Sequence, residues 1–479
     1  MRFPLREKRA KNFMSGVFVF LVLLAIFLSC SQPAQAIPAF ARKYGLPCSA
    51  CHIGWPELNN FGQVFRDNGY QMMNDMDSPI TRDASYFPIT IRITPQWHRE
   101  SANNQAVDDT PGGVPAGTHA GTLTTAGFDL SGIDIWFAGT LFKNISFSVL
   151  PSSNNTAAFH FENAFVRFDN LLNSRWLNVK VGKFELDLPV SEKRLLTGSG
   201  NGGFYYIYHF SPPGDANPFG GIGDNQLGVE VMGHNANSYT RYSFSLLSSV
   251  DGQVGLLNSA GTPAGRTFDY YGHFEQAFNT PHSGLMKVGA YAYFGYAPTF
   301  FQTSTVGGVT TPIYGRGNKP FYRAGVEWKW YFNKFLFKTV YLHGYENRAL
   351  ANFGLGTSPP PNPLPADTRS ASWNGGFVEG QYVISPQWII IGRYEGIRMS
   401  QQANSATPGD FGNLDAFTIA NRWYPFMFSR AGLALQQEYS WVRSHGITNQ
   451  GGGFGNTCLV VPTCNISSSS ILLGVDFDF

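Results

Sequence analysis

From about residue 85 to the end of the chain, apolar and polar side chains alternate with a period of two. One face of segment 321–332 carries Tyr322, Ala324, Val326, Trp328, Trp330 and Phe332, and the other face carries Arg323, Glu327 and Lys329. Strands that place apolar residues toward lipid and polar residues toward a lumen show this alternation in transmembrane β-barrels. Segment 468–479 repeats the pattern, with Leu473 opposed to Asp476.

About 16 segments carry this strand patterning: 87–99, 128–142, 145–151, 157–169, 176–187, 225–233, 238–249, 266–278, 285–299, 319–332, 335–347, 370–384, 387–400, 411–424, 428–443 and 468–479. Connections after even-numbered segments are short, as at Lys143-Asn144, and those after odd-numbered segments are mostly long, as at 100–127 and 188–224. Short periplasmic turns and long external loops alternate in this way in outer-membrane barrels. We therefore predict an all-β transmembrane barrel over 85–479; a water-soluble β-sandwich, the alternative, predicts no such alternation.

The beginning of the chain has the features of an export signal. Five basic residues between Arg2 and Lys11 precede the apolar run 17–28, and Ala34-Gln35-Ala36 provides a small-x-small cleavage site. We predict a signal peptide over 1–36, with an uncleaved anchor helix, or a lipid attached at Cys30, as the alternatives. Removing five basic residues and one acid changes the formal charge from +2 to −2, so the net charge gives no support for a nucleic-acid partner.

The motif Cys48-Ser49-Ala50-Cys51-His52 is the attachment sequence of c-type haem. The two thiols, separated by two residues, add to the haem vinyl groups, and His52 supplies an axial nitrogen to the iron. A redox CxxC or half a zinc site is the alternative, but the chain holds no second CxxC. We predict one covalently bound haem c, held by Cys48 and Cys51 and ligated by His52.

The residues after the motif predict a short amphipathic helix that covers the haem. Pro56 suits a first helical turn, Phe61 and Phe65 recur at helical spacing, and Gly69 suits the C-terminal stop. A segment spanning 37–84 is too small to bury both faces of a haem. We therefore expect this α-helical segment to insert into the barrel as a plug, so that the barrel supplies the missing cover.

The sixth ligand of the iron is left open by the spacing. Met72 and Met73, with Met76 close by, follow the predicted helix and offer thioether sulfurs, while His209 and the other barrel histidines are rivals. These methionines serve equally well as flexible packing. Arg42 and Lys43 can pair with the haem propionates or remain solvated.

Two further features lie in the predicted external loops. Cys458 and Cys464 are close in sequence, and in an oxidising compartment they predict a small disulfide loop. The loop 188–224 holds the aromatic run 204–210, which should not stay exposed to water. Either the run folds into the lumen and covers the haem, or it belongs to an aromatic girdle at the membrane surface.

The N-terminal residues resemble a known family. The stretch from Pro38 to Gly45, the CSACH motif, the stretch from Pro56 to Gly62 and Asn68-Gly69-Tyr70 are similar to the start of the fused monohaem cytochrome–porins. That resemblance covers about 35 residues. It implies an Fe(II):cytochrome c oxidoreductase activity in the outer membrane, with one haem in or at the mouth of the barrel.

These features predict electron transfer across a bacterial outer membrane. The expected donor is extracellular Fe(II), and the expected acceptor is a periplasmic cytochrome or copper protein. Two alternatives remain open at this point. One is a solute channel of porin type in which the haem segment senses or gates, and the other is the same conduit running outward to an external acceptor.

Overall fold

The computed structural model describes residues 40, 43–54, 56–72, 88–109, 118–153, 158–213, 215, 217, 219–248, 268–298, 301–306, 309–314, 318–351, 368–403, 411–427, 431–448 and 463–478. The predicted signal peptide over 1–36 lies outside these residues, as do Cys458 and Met73.

Sixteen antiparallel strands close into one barrel, which confirms the predicted fold class and strand number. Each strand pairs with its neighbours in sequence, and β16 pairs with β1 to seal the sheet. The strands are β1 Ile89–Val107, β2 His119–Phe142, β3 Ile145–Ser153, β4 His160–Phe168, β5 Asn178–Phe184, β6 Gln226–His234, β7 Thr240–Ser248, β8 Phe268–Thr280, β9 Gly284–Pro298, β10 Asn318–Phe332, β11 Phe335–Glu346, β12 Ala371–Ser385, β13 Trp388–Gln401, β14 Leu414–Met427, β15 Gly432–Thr448 and β16 Thr463–Asp478.

The connections alternate in length as predicted. Two of the tightest turns, at 143–144 and 333–334, place Asn144 and Asn333 at positive φ (59° and 51°), a conformation that asparagine tolerates. Connections at the opposite end are long, and the one between β9 and β10 carries a further hairpin, Phe301–Val306 with Val309–Tyr314. The two ends of the barrel therefore differ, with short turns at one end and loops at the other.

One predicted loop is wrong. Most of 100–127 is strand, because β1 and β2 continue as a paired hairpin up to Val107 and His119. This extension is rich in serine, threonine and glycine and has few apolar residues, so its hydropathy does not alternate. Its side chains pair with each other instead, as Ser101 Oγ does with Thr124 Oγ1 at 2.9 Å.

The barrel is apolar outside and charged inside. Val326 and Trp328 of β10 are 54% and 41% exposed, whereas Arg323 and Glu327 on the opposite face are 4% exposed. A surface of this kind belongs against lipid, and the charged face belongs against a lumen. No helix in the described part of the chain is long and apolar enough to cross a membrane.

The described helices are short and are not part of the barrel sheet: α1 Cys48–Cys51, α2 Asn60–Asp67, α3 Tyr206–His209 and α4 Arg348–Ala351. Two single 3₁₀ turns, Leu171–Asn173 and Glu192–Arg194, accompany them. The helices α1 and α2 belong to the N-terminal segment, and α3 belongs to the long connection between β5 and β6. Both of these pieces fold into the lumen.

Candidate functional site

The N-terminal segment is organised around Asn59, which joins α1 to α2. Its side-chain oxygen accepts a hydrogen bond from the Gly62 backbone N–H at 2.9 Å and so caps α2. Its side-chain amide donates to the Ala50 carbonyl of α1 at 2.9 Å. A Cβ atom on Gly62 would lie 2.2 Å from the Cys51 carbonyl oxygen, so only glycine allows the helices to approach this closely.

The cap at Asn59 corrects the predicted start of the helix. Pro56 does not open the first turn, because Glu57–Leu58 pairs with His52–Gly54 as a small two-stranded sheet before α2 begins. Phe61 is 43% exposed, whereas Phe65 is buried as expected. The Phe65 ring lies edge-on to Phe40, with 5.2 Å between the ring centroids. The predicted stop is confirmed, since Gly69 follows α2 with a φ of +73°.

Charged and polar groups of the barrel wall hold the segment from two sides. The Arg167 guanidinium of β4 donates to the Arg66 carbonyl at 3.0 Å and also to the Asp67 carbonyl. Across the lumen, Lys338 of β11 pairs with Glu57, and Gln381 of β12 donates to the same carboxylate at 3.1 Å. Opposite walls thus fix the segment at the short-turn end of the barrel.

Asp67 is the most strongly held group of α2. Its Oδ2 lies 2.9 Å from Arg241 Nε, and its Oδ1 accepts from Gln63 Nε2 at 2.9 Å. Burial alone would raise the pKa of Asp67, but the Arg241 and Arg66 guanidinium groups outweigh burial and hold the pKa below its ordinary value. The carboxylate is therefore charged at neutral pH and anchors α2 to β7.

A cavity of about 350 Å³ lies between the segment and the barrel wall, within the size range of small-molecule and cofactor sites. The segment contributes an apolar side that includes Phe40, Cys51, His52, Pro56, Leu58, Phe65 and Tyr70. The rest of the chain contributes charged groups of both signs together with an aromatic and a sulfur-bearing side chain, among them Arg92, Trp136, Asp187, Glu230, Met232 and Arg241.

Two of the three predicted haem-binding residues meet at this cavity. Cys51 and His52 both line it, and Cys48 opens α1, one helical turn before Cys51. His52 is buried, and its Nδ1 atom lies 3.1 Å from the Pro56 carbonyl oxygen. A carbonyl oxygen only accepts, so Nδ1 carries the proton and Nε2 carries the lone pair that a metal requires.

The donor set and the cavity wall fit a c-type haem. A thiol and an imidazole stand together on one wall, and the apolar side chains around them suit the ring. The cationic groups of the wall already have carboxylate partners, as Arg241 has in Asp67 and Lys180 in Glu230. Of the residues predicted to face the propionates, Lys43 lies over the Tyr44 ring, with 5.0 Å between Nζ and the centroid. Arg42 lies outside the described residues.

The candidates for the sixth ligand are placed differently. Met72 is half-buried and is not among the residues that line the cavity, and Met73 and Met76 lie outside the described residues. His209 belongs to α3, where its Nε2 lies 2.7 Å from Glu192 Oε2. Burial would lower the pKa of His209, but the hydrogen bond and the charge of Glu192 raise it to about 9.

Sequence reasoning named the barrel histidines only as a group and missed Met232; strand β6 places both Met232 and His234 on the cavity wall. Both residues stand on the lumen-facing side of the strand, because they share the parity of the buried Glu230. The inward parity could be obtained from the alternation of β6. Their position on the same cavity as His52 could not, because it depends on how the segment sits in the closed barrel.

The connection between β5 and β6 fills the lumen beyond the cavity. Tyr205, Ile207, Tyr208 and Phe210 are all 2% exposed or less. The Tyr205 ring stacks on Phe377 of β12, with 4.1 Å between centroids, and its hydroxyl donates to Glu379 at 3.0 Å. Of the two predicted placements of the aromatic run, the lumen is therefore the observed one.

Charged groups tie this connection to the segment as well. The Asp187 carboxylate lies 3.0 Å from Arg241 Nη2, 3.1 Å from His273 Nδ1 and 3.8 Å from Arg66 Nη2. Burial would raise the pKa of Asp187, but Arg241 and His273 hold it well below its ordinary value. The wall, the segment and the inserted connection therefore meet at a single carboxylate.

The predicted disulfide is described at one of its two positions. Cys464, on β16 beside Ile447 and Ile466, is disulfide-bonded. The predicted partner, Cys458, lies outside the described residues, so the pairing stays a prediction.

Comparison with known proteins gives structural matches but no family. No protein-family model matches the chain, and no curated protein matches it. Among solved structures, an anion-selective porin from Comamonas acidovorans matches 82% of this chain and 99% of its own at 12% identity and a TM-score of 0.44. Salmonella typhi OmpF in complex with daunomycin matches 85% of this chain and 99% of its own at 9% identity and a TM-score of 0.43.

A third match, the outer-membrane channel DcaP of Acinetobacter baumannii, covers 80% of this chain and 96% of its own at 10% identity and a TM-score of 0.42. Because these identities and TM-scores are low, we assign the class of protein from the strand pairing and the surface of this chain. A closed barrel of sixteen strands with an apolar outer face and a charged inner face defines an outer-membrane β-barrel protein. The chain is such a protein, of the bacterial outer membrane, and an N-terminal segment occupies its lumen.

Proposed function

We propose that this chain is an outer-membrane monohaem cytochrome fused to a barrel of porin type. In this proposal it transfers electrons from extracellular Fe(II) to a periplasmic cytochrome or copper protein. The observation that carries the proposal is the position of Cys51 and His52, which line one cavity inside the lumen at the short-turn end. In barrels of this class the short turns face the periplasm.

The residues around the cavity have distinct tasks. When bound, the haem supplies a one-electron couple between ferric and ferrous iron. Cys48 and Cys51 hold it covalently, and His52 offers Nε2 to the metal. The Pro56 carbonyl fixes the tautomer and the orientation of the His52 ring through its hydrogen bond to Nδ1.

Contacts with the barrel wall hold the site near the periplasmic end of the lumen. Lys338 and Gln381 hold Glu57 on one side, and Arg241 holds Asp67 on the other. These contacts come from strands that are rigid within the closed sheet. The site is thus set within the barrel, on the side that a periplasmic acceptor can approach.

The inserted connection lies between the cavity and the external loops. Leu186, Lys193 and Leu195 of this connection line the cavity, and the buried tyrosines lie further along it. They place closely packed aromatic rings between the site and the outer surface. A lumen filled in this way suits the transfer of electrons and not the passage of solutes.

A solute channel is the second candidate, favoured by the sixteen strands, a number that diffusion porins also have. Conductance separates the two candidates. The purified chain in a planar bilayer should show little single-channel current if the lumen is filled, whereas open-channel current in the intact protein would favour the porin.

The electron-transfer proposal is tested by mixing the oxidised, purified protein with Fe(II) and following the haem absorption spectrum. We expect fast reduction in the intact protein, and loss of reduction in His52→Ala. Phe244→Ala, a change on the outer face of β7, is the matched control and should behave as the parent protein. The iron assignment fails if another donor reduces the haem and Fe(II) does not over a range of pH. A haem that returns electrons to an external acceptor faster than it accepts them from Fe(II) would indicate the outward direction.

A further inference from the structure

His234 lies at the wall of the same cavity as Cys51 and His52, although it stands far away in the sequence. It is the last residue of β6, at the short-turn end, and its side chain is turned into the lumen. The residue is only 3% exposed, and its Nε2 atom is buried without a hydrogen-bond partner among the described residues. A buried nitrogen without a partner is costly, and this one belongs to a residue on the wall of the cavity that Cys51 and His52 also line.

The protonation of the His234 ring follows from its other nitrogen. Nδ1 lies 2.9 Å from the Asn235 carbonyl oxygen, with Ser238 Oγ more distant at 3.4 Å. Because the carbonyl oxygen can only accept, Nδ1 carries the proton. In a neutral imidazole Nε2 then holds a lone pair, which is the arrangement that metal-binding histidines adopt.

The turn after β6 keeps that carbonyl in place. The Asn235 side-chain oxygen accepts from the Tyr239 backbone N–H at 2.8 Å, and the Asn235 backbone N–H donates to the Thr240 carbonyl at 3.1 Å. The next strand begins with Thr240 and carries Arg241, which holds α2 through Asp67. One turn of the barrel therefore orients the His234 ring, and Arg241, the cross-strand neighbour of His234, holds Asp67 of the segment close by.

Two other imidazoles that the structure describes inside the barrel already have partners. Both ring nitrogens of His273 have carboxylate partners, Asp187 at 3.1 Å and Glu327 at 2.9 Å. His209 is bound to Glu192 and is not among the residues that line the cavity. Met232, two residues before His234 on the same face, is the one thioether on the described cavity wall.

We propose that Nε2 of His234 binds the haem iron on the face opposite His52, so that the barrel and not the N-terminal segment supplies the sixth ligand. This inference rests on the proposed haem function. It identifies a bis-imidazole iron whose two ligands come from the two parts of the chain. It also explains why a segment too small to cover a haem is fused to a barrel.

The test uses the full-length protein purified in detergent. Covalent haem is first measured by in-gel haem stain and intact mass, because a chain without haem would refute the proposed function itself. For the haem-loaded protein, electron paramagnetic resonance and absorption spectra of the oxidised form report the ligands. We expect a low-spin, bis-imidazole signal in the parent protein. A far-red thioether–iron charge-transfer band in its place would overturn the proposal without any variant.

Variants then assign the ligand. His234→Ala should convert the iron to a high-spin form, and added imidazole should restore the low-spin signal. His234→Met should introduce the thioether band and raise the reduction potential. Met232→Leu and Met72→Leu are the controls and should leave the parent spectrum unchanged. A low-spin spectrum that survives in His234→Ala without added imidazole, or that is lost in either methionine variant, would refute the assignment.

Discussion

Nε of Arg241 lies 2.9 Å from Oδ2 of Asp67, and this ion pair joins the barrel wall to the helix that follows the haem motif. Both side chains are largely withdrawn from water, at 11% and 8% exposure. The pair therefore ties the position of α2, and with it the cavity, to a strand that is fixed by the closed sheet.

The pair makes docking of the segment sensitive to acid. The pKa of Asp67 is lower in the folded protein than in the unfolded chain, so the folded state binds fewer protons. The stabilisation is complete above the unfolded value of about 4 and is lost as the pH falls through the lowered folded value. We expect the segment to become accessible to an acid-active protease below about pH 4.

Asp67→Asn tests this dependence directly. The substitution should weaken docking already at pH 7, by about 3 kcal/mol, the lower end for a broken buried ion pair, because Arg241 keeps Asp187 as a second partner. Proteolysis of the segment in the folded barrel measures the effect. Asp109→Asn, a change at an exposed acid of the loop after β1, is the control. Equal protection of the Asp67 variant and the parent protein at pH 7 would contradict the anchor.

Haem attachment should depend on Cys51 and not on the remote cysteine of β16. Cys51→Ala removes one of the two thiols, so normal two-thioether attachment should be lost. The barrel should still form, because its strand pairs do not involve the motif. In-gel haem stain and intact mass follow attachment, and the heat-dependent gel mobility of the barrel follows folding. Cys464→Ser should keep its haem; unchanged attachment in Cys51→Ala would argue against the motif.

The orientation in the membrane follows from the loop lengths. A cysteine at Asp109, in the long connection after β1, should react with a membrane-impermeant maleimide in intact cells. A cysteine at Lys143, in the tight turn after β2, should react only after the outer membrane is opened. Both positions are exposed, so accessibility of the side chain does not bias the result. The reverse labelling pattern would mean that the barrel has the opposite orientation in the membrane, with the haem site near the cell surface.

The inserted connection should keep the lumen closed to ions. Tyr205→Ala removes the ring that stacks on Phe377 and the hydroxyl that donates to Glu379, at a cost of about 3–5 kcal/mol. We expect the connection to loosen and single-channel conductance in planar bilayers to rise above that of the parent protein. Phe244→Ala removes a ring of similar size from the lipid-facing side and should leave conductance unchanged. If Tyr205→Ala also conducts like the parent, the connection does not close the lumen.

The barrel could be predicted from the sequence because its signals are local. Alternation along β10 separates Trp328 from Lys329, and each short turn sits between two patterned strands, so strand number and orientation follow from neighbouring residues alone. The extended hairpin of β1 and β2 was missed because its water-exposed part needs no apolar face. The predicted helix start at Pro56 was also wrong, because Asn59 caps α2 and the helix begins at Asn60.

The cavity could be predicted only in part. The motif identified Cys51 and His52, because the residues that attach and ligate a haem lie close together in sequence. No local sequence pattern marks Met232 and His234 as residues of the cavity, because an inward histidine at a strand end is compatible with many roles. Their approach to the motif depends on strand register and on the docking of a segment more than 150 positions away in sequence.

The seat of the N-terminal segment is assembled from β4, β7, β11 and β12, strands that lie far apart along the chain. Only β11 and β12 are neighbours, and the other contacts come from β4 and β7 across the lumen, so the complete seat exists only once the sheet has largely formed. Contacts between residues so distant in sequence are also the slowest to form. The N-terminal segment is therefore synthesised before the barrel strands, but it docks in the lumen only after those strands have paired.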